Sequence, residues 1–260
     1  MRARWLAVLL LLLALPFAAA ACGGGKKSSS QTTTTSSATP MDAVKAAAEK
    51  TAKAGSLKLT LNVGGATTSA KLAVAGAGGF DTTNREGQLH LRFSTGGISG
   101  TMDVVLKGTD LYVSSPLLSL ALPSGKTWIK VDISKPAKAG GLDLSTILSQ
   151  DPTQALDALQ NVSNVVEVGQ AQVGGVTLTH YRATITKTAT TKAGGTYDVW
   201  VGDDGYIHRV RTVIGGTSGS TTGAVRATSN LSGFGEPVTV TAPPASQTVT
   251  SNGSIPGLGG

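Results

Sequence analysis

Period-two alternation is the feature that most narrows the folds open to this chain. Leu57, Leu59, Leu61 and Val63 are apolar, while Lys58, Thr60 and Asn62 between them are polar. Successive side chains of a strand point to opposite faces, so such a run makes a strand with one buried and one wetted face. The pattern returns in Leu89-His90-Leu91-Arg92-Phe93, in Met102, Val104 and Leu106, and in Ile129, Val131 and Ile133 against Lys130 and Asp132. It recurs in Tyr197, Val199 and Val201. Gly108-Thr109-Asp110, Ser124-Gly125, Gly174-Gly175 and Asp203-Asp204-Gly205 are residue groups that favour chain reversal, and they separate these runs. The expectation is a large antiparallel meander.

Two stretches break the alternation. Residues 40–54 read as a helix, with Thr39 as cap, Pro40 at the first helical position and Gly55 at the exit. Residues 142–162 read as two short helices. Leu144, Ile147 and Leu148 have helical spacing, and Asp151-Pro152-Thr153-Gln154 resembles a capping box leading into Ala155, Leu156 and Leu159. One sheet with a few helices on one side is an α+β domain.

The chain begins with Arg2 and Arg4, then an apolar run from Trp5 to Ala21 that ends Ala19-Ala20-Ala21-Cys22. A basic start, an apolar centre and small residues before a cysteine describe a lipoprotein signal peptide, residues 1–21, with Cys22 as the acylated residue. The usual lipobox has Leu three residues before the cysteine, where this chain has Ala19; the alternative is an uncleaved N-terminal anchor. Cys22 is the chain's single cysteine, so no internal disulfide can form. Residues 22–40 are Gly-, Lys-, Ser- and Thr-rich and bury too little to offset the entropy of ordering, which makes them a tether. Residues 41–242 are long enough for one domain, and the Pro-, Ser-, Thr- and Gly-rich residues 243–260 read as an unstructured tail.

The formal charge is +7, and loss of Arg2 and Arg4 with the leader leaves +5. The excess is spread thinly, with no basic run beside an aromatic ladder, which argues against nucleic-acid binding. It suits either an anionic membrane surface or ordinary solvation. Catalytic signatures are missing. His90, His180 and His208 lack metal-site spacing, no Gly-x-Ser-x-Gly elbow occurs, and the loop Gly76-Ala77-Gly78-Gly79 has Asp81 where a dinucleotide fingerprint needs glycine. Asp203-Asp204 beside Gly205 is turn chemistry. The sequence therefore points to a protein that is not an enzyme and needs no metal or cofactor.

Aromatic residues make up 4% of the chain, so a long sheet with few helices must fill its covered face with Leu, Val, Ile and Ala. Two outcomes stay open: a hydrophobic cavity, or a core closed by those side chains. The inward-facing candidates are Leu59, Leu61, Leu91, Phe93, Val104, Leu106, Ile129, Val131, Leu144, Ile147, Leu148, Leu156 and Leu159. Each can serve as core or as lining. Trp128 and Trp200 fall on the opposite face, either packed under a covering element or placed at a membrane interface.

The leader, the tether, the first helix, the run Gly125-Lys126-Thr127-Trp128-Ile129-Lys130-Val131 and the hairpin from Tyr197 to Ile207 together resemble the mycobacterial LppX/LprG-type lipoproteins of actinobacteria. The resemblance implies a fold like the Lol lipoprotein carriers, a strongly curved antiparallel half-barrel with helices on its concave side enclosing an apolar cavity. It implies a lipid-anchored protein on the outer face of the cytoplasmic membrane, in a periplasm-like envelope space. Such a protein would bind acylated lipids, glycolipids or triacylglycerol and carry them across the envelope, with a membrane lipid exporter as a candidate partner. The competing reading is a sensor or scaffold that uses the same sheet to bind a protein.

Overall fold

The alternating runs are strands in the computed structural model, which describes residues 39–66, 71–81, 83–134, 138–139, 142–143, 162–185, 195–214 and 224–251. Helix α1, Pro40–Ala52, opens the domain. Thr39 caps it by accepting from the Asp42 amide, and the Asp42 carboxylate accepts from the Thr39 amide and hydroxyl. These bonds hold the Asp42 carboxyl below the usual carboxylate range. The helix ends before Gly55, whose φ of +80° favours glycine.

The strands follow as β1 (Ser56–Ala66), β2 (Lys71–Asp81), β3 (Glu86–Thr95), β4 (Ile98–Lys107) and β5 (Asp110–Ser114). A single helical turn, α2 (Pro116–Ser119), precedes β6 (Trp128–Asp132). The short pair β7 (Lys138–Ala139) and β8 (Leu142–Asp143) stands apart from the sheet. The second half holds β9 (Val162–Val173), β10 (Val176–Ile185), β11 (Gly195–Gly202), β12 (Ile207–Ile214) and β13 (Val225–Ser232), and β14 (Thr248–Ser251) comes last.

Twelve strands form one open, curved sheet in the order β14-β6-β5-β4-β3-β2-β1-β13-β12-β11-β10-β9. Two antiparallel meanders are thus joined by the pairing of β1 with β13, Leu59 opposite Leu231 and Val63 opposite Ala227. Gly174 and Gly175, with φ of +61° and +84°, form the two-residue turn between β9 and β10 that the Gly-Gly pair predicts. At the β11–β12 turn the Asp204 carboxylate accepts from the Tyr206 amide. Lys50 of α1 donates to the Asp204 carbonyl at 2.6 Å, tying the helix end to the sheet.

Three expectations change. The segment expected as two short helices has strand at its two ends, Leu142–Asp143 in β8 and Val162 in β9, and residues 144–161 lie outside the described residues. Gly76-Ala77-Gly78-Gly79 is not a loop but the interior of β2, paired on both sides. Its glycines give close approach rather than a turn: a Cβ on Gly78 would lie 2.0 Å from the Gln88 carbonyl oxygen, and one on Gly76 2.4 Å from Leu91 Cδ2. The stretch from Pro243 to Ser251 is not a tail in this structure. β14 pairs in parallel with β6, Thr248 opposite Trp128, and Lys126 Nζ donates to the Thr248 carbonyl. A strand this short and polar carries no apolar alternation to mark it in the sequence; the edge of β6 supplies its partner groups.

Candidate functional site

Pairing register lines the inward side chains into rows across the sheet. Leu231, Leu59, Gly78, Leu89, Val104, Val113 and Ile129 form one row; Leu57, Phe80, Gly87, Leu106, Leu111 and Val131 form the next. Leu61, Gly76, Leu91 and Met102 make a third, and Val63, Val74, Phe93 and Gly100 a fourth. Large side chains lie over small neighbours. A Cβ on Gly87 would sit 2.2 Å from the Phe80 ring, and one on Gly100 2.9 Å from the Phe93 ring. The apolar face is packed by this large-on-small interlock.

The face divides into two buried clusters. The first contains Leu59, Leu61, Leu91 and Phe93 and takes in Val44 and Ala47 of α1. The second contains Ile129 and Val131 with Leu118 of α2. Leu91 and Ile129 are 0% exposed and Val131 1%, so these three are core in this structure. Met102 and Val104 of β4 pack against both clusters and Leu106 against the second, and all three are only half-buried. The structure therefore brings eight predicted residues onto one face, with Val104 at the seam between the clusters and Leu106 beside the second. Leu144, Ile147, Leu148, Leu156, Leu159 and Cys22 lie outside the described residues.

At the other end of the first cluster, burial pushes the Tyr197 phenol up to about 12. Tyr181 is raised by burial and by nearby Glu167. Among the described residues no group of three or more His, Cys, Asp and Glu side chains could hold a metal ion. Each histidine faces one aspartate instead: His90 with Asp103 at 2.6 Å, His180 with Asp198 at 2.8 Å and His208 with Asp204 at 2.9 Å.

Trp128 and Trp200 are packed on the opposite face. Trp128 sits with Val105, Tyr112, Val238 and Val240, under the chain that leads to β14. Trp200 is 5% exposed and stacks on His180, with ring centres 4.3 Å apart. Arg209 and Arg211 lie over its ring at 5.9 and 5.2 Å. Sequence reading missed this polar-face group around Trp200. Alternation places His180, Arg182, Asp198, Trp200, Arg209 and Arg211 on the polar face, but only register makes them neighbours.

These observations define a class: an open, curved, mainly antiparallel sheet with one apolar face, partly covered by a short N-terminal helix. No protein family profile and no curated protein matches the sequence. Among solved structures, the lipoprotein LppX of Mycobacterium tuberculosis is 16% identical, with a TM-score of 0.49 over 78% of this chain and 98% of its own. LprF of Mycobacterium bovis is 14% identical, with a TM-score of 0.49 over 78% and 96%. The MucA/MucB complex of Pseudomonas aeruginosa is 14% identical, with a TM-score of 0.37 over 80% of this chain and 59% of that one. Both are among the LppX/LprG-type proteins that the sequence resembles.

Proposed function

We propose that this chain is an envelope lipoprotein, acylated at Cys22 and held by residues 22–40 to the outer face of the cytoplasmic membrane. Its domain lodges the acyl chains of a lipid or glycolipid against the apolar face and carries them through the envelope. The observation that supports this most is the half-buried seam of Met102 and Val104, where two apolar clusters meet along β4, continued by half-buried Leu106 on the side of the second. An acyl chain laid along that seam extends a core already there. Its removal from water is favourable by about 0.8 kcal/mol per CH₂, which is the energy a carrier must match to hold it in an aqueous space. No proton transfer or covalent step is required. Among the described residues no helix is long and apolar enough to cross a membrane.

The test is lipid extraction and mass spectrometry of the chain from Gly23 onward, exported from an actinobacterial host, beside Val104→Trp and Leu106→Trp. A bound acylated lipid near one per protein in the parent, lost in both folded variants, is the expected result. A folded parent that carries no lipid and takes none from vesicles overturns the carrier reading.

One observation favours the protein-binding alternative. Leu117 and Leu120 at α2 are 47% and 85% exposed. In this alternative the two leucines are the contact points for a partner. Retained lipid loading in Leu117→Ser/Leu120→Ser separates this surface from carriage.

A further inference from the structure

The polar face of β10–β13 carries a concentration of arginine that lipid carriage on the opposite face does not use. Arg182, Arg209, Arg211 and Arg226 all fall on this face by register: Arg182 opposite Asp198, Arg211 opposite Asp198 and Thr228, Arg209 opposite Trp200 and Asn230, and Arg226 opposite Val213. Among the described residues on this face of β10–β13, the one carboxylate is Asp198, and its side chain is 3% exposed. It is already engaged, accepting from Arg182 Nε at 2.7 Å and paired with His180 Nε2 at 2.8 Å. Four guanidinium groups thus lie on a face whose one described carboxylate is buried and bonded to Arg182.

The arginines are held in place. Arg209 Nε donates to Asn230 Oδ1 at 2.6 Å, and Asn230 Nδ2 donates to Thr60 Oγ1 at 3.0 Å. Trp200 supplies a flat floor for Arg209 and Arg211. Arg211 Nε is buried without a hydrogen-bond partner. A buried donor left unpaired costs about 1–3 kcal/mol, so a fold that keeps one calls for an acceptor or another compensating contact. Burial and neighbouring Arg211 also lower the Arg209 pKa.

We propose that Arg182, Arg209 and Arg211, stacked on or beside Trp200, form a binding site for a phosphate group. Guanidinium forks match the paired oxygens of phosphate, and a stacked fork loses little further freedom on binding. The phosphate can belong to an anionic phospholipid headgroup at the membrane or to a soluble phosphate ester, and the site recognises the chemistry they share.

The experiment uses the mature acylated protein in nanodiscs, carrying Trp128→Phe so that Trp200 alone reports. Orthophosphate is titrated in phosphatidylcholine discs, with chloride at matched ionic strength as control, and binding is read by Trp200 emission and by equilibrium dialysis of labelled phosphate. Saturable binding to phosphate and not chloride is expected. It should be abolished by Arg211→Gln, weakened about tenfold by Arg211→Lys, which keeps charge but loses the fork, and unchanged by Arg92→Gln, an arginine on β3. Discs doped with phosphatidylglycerol separate the sources. Loss of orthophosphate binding there, or an Arg211-dependent change in Trp200 emission without added phosphate, assigns the site to a lipid headgroup. Equal binding in both discs assigns it to a soluble phosphate ester. No response in either disc, a response matched by chloride, or an equal loss in Arg92→Gln overturns the proposal.

Discussion

At the residue scale, the apolar face depends on glycines as much as on leucines. Gly78 allows β2 and β3 to approach so closely that a Cβ would fall 2.0 Å from the Gln88 carbonyl oxygen, a backbone atom that cannot swing aside. Gly78→Ala should therefore destabilise by about 1–3 kcal/mol as overpacking does. Gly64→Ala on β1, where nothing lies within 4 Å of the added Cβ, should be neutral or slightly stabilising; urea denaturation of the two variants checks the contrast. Leu91, fully buried over Gly76, should cost about 2–5 kcal/mol on replacement by Ala, read as a lower urea midpoint at unchanged slope. Tyr197 makes the pH prediction. Its folded pKa is raised from 10.0 to about 12, so its contribution to stability is complete below pH 10 and is lost as pH climbs through about 12. Absorbance titration near 295 nm should show one tyrosine ionising last, coupled to alkaline unfolding, and Tyr197→Phe should remove that step.

At the scale of elements, the two edges of the sheet are built differently. β9 is long, and residues with positive φ, Asn164 at 60° and Gly169 at 125°, accompany register shifts in its pairing with β10. Such irregularity discourages further strand addition. The other edge ends in β14, which covers β6 while the chain before it packs Val238 and Val240 beside Val105, Tyr112 and Trp128. Truncation after residue 242 should unpair β6 and wet Trp128. The expected signature is a red shift in tryptophan emission and faster amide exchange confined to β6, with α1 and β11 unchanged. An unshifted spectrum and unchanged exchange in β6 would mean that β14 contributes nothing to this edge.

At the scale of the whole molecule, the pairing of β1 with β13 joins the start of the domain to its end, so the first cluster takes side chains from both meanders. Contacts of such sequence separation close late and slow folding. A lipid that binds only the folded protein should raise the melting temperature with concentration. Val104→Trp, at the seam between clusters, should weaken that rise, while a substitution on the polar face such as Arg92→Gln should leave it intact. Differential scanning calorimetry with and without acylated lipid distinguishes the two.

The inward set from Leu59 to Val131 was legible because a period of two fixes which face a side chain takes, whatever strand lies beside it. The first helix was legible because Thr39, Pro40 and Gly55 each act within their own turn. Which residues become neighbours across strands was not, since register is set by the packing of the whole sheet. That is why the pairing of glycines with Phe80, Leu91 and Phe93, the capture of β14 by β6, and the gathering of three arginines around Trp200 and Asp198 emerged only in three dimensions. The sequence by itself determined a sheet with one apolar face and a helix to pack on it, through local spacing and local sterics. The tertiary structure decided which apolar residues are sealed and which lie at the seam, and where unpaired positive charge collects, because burial and electrostatics depend on distances between residues far apart in the chain.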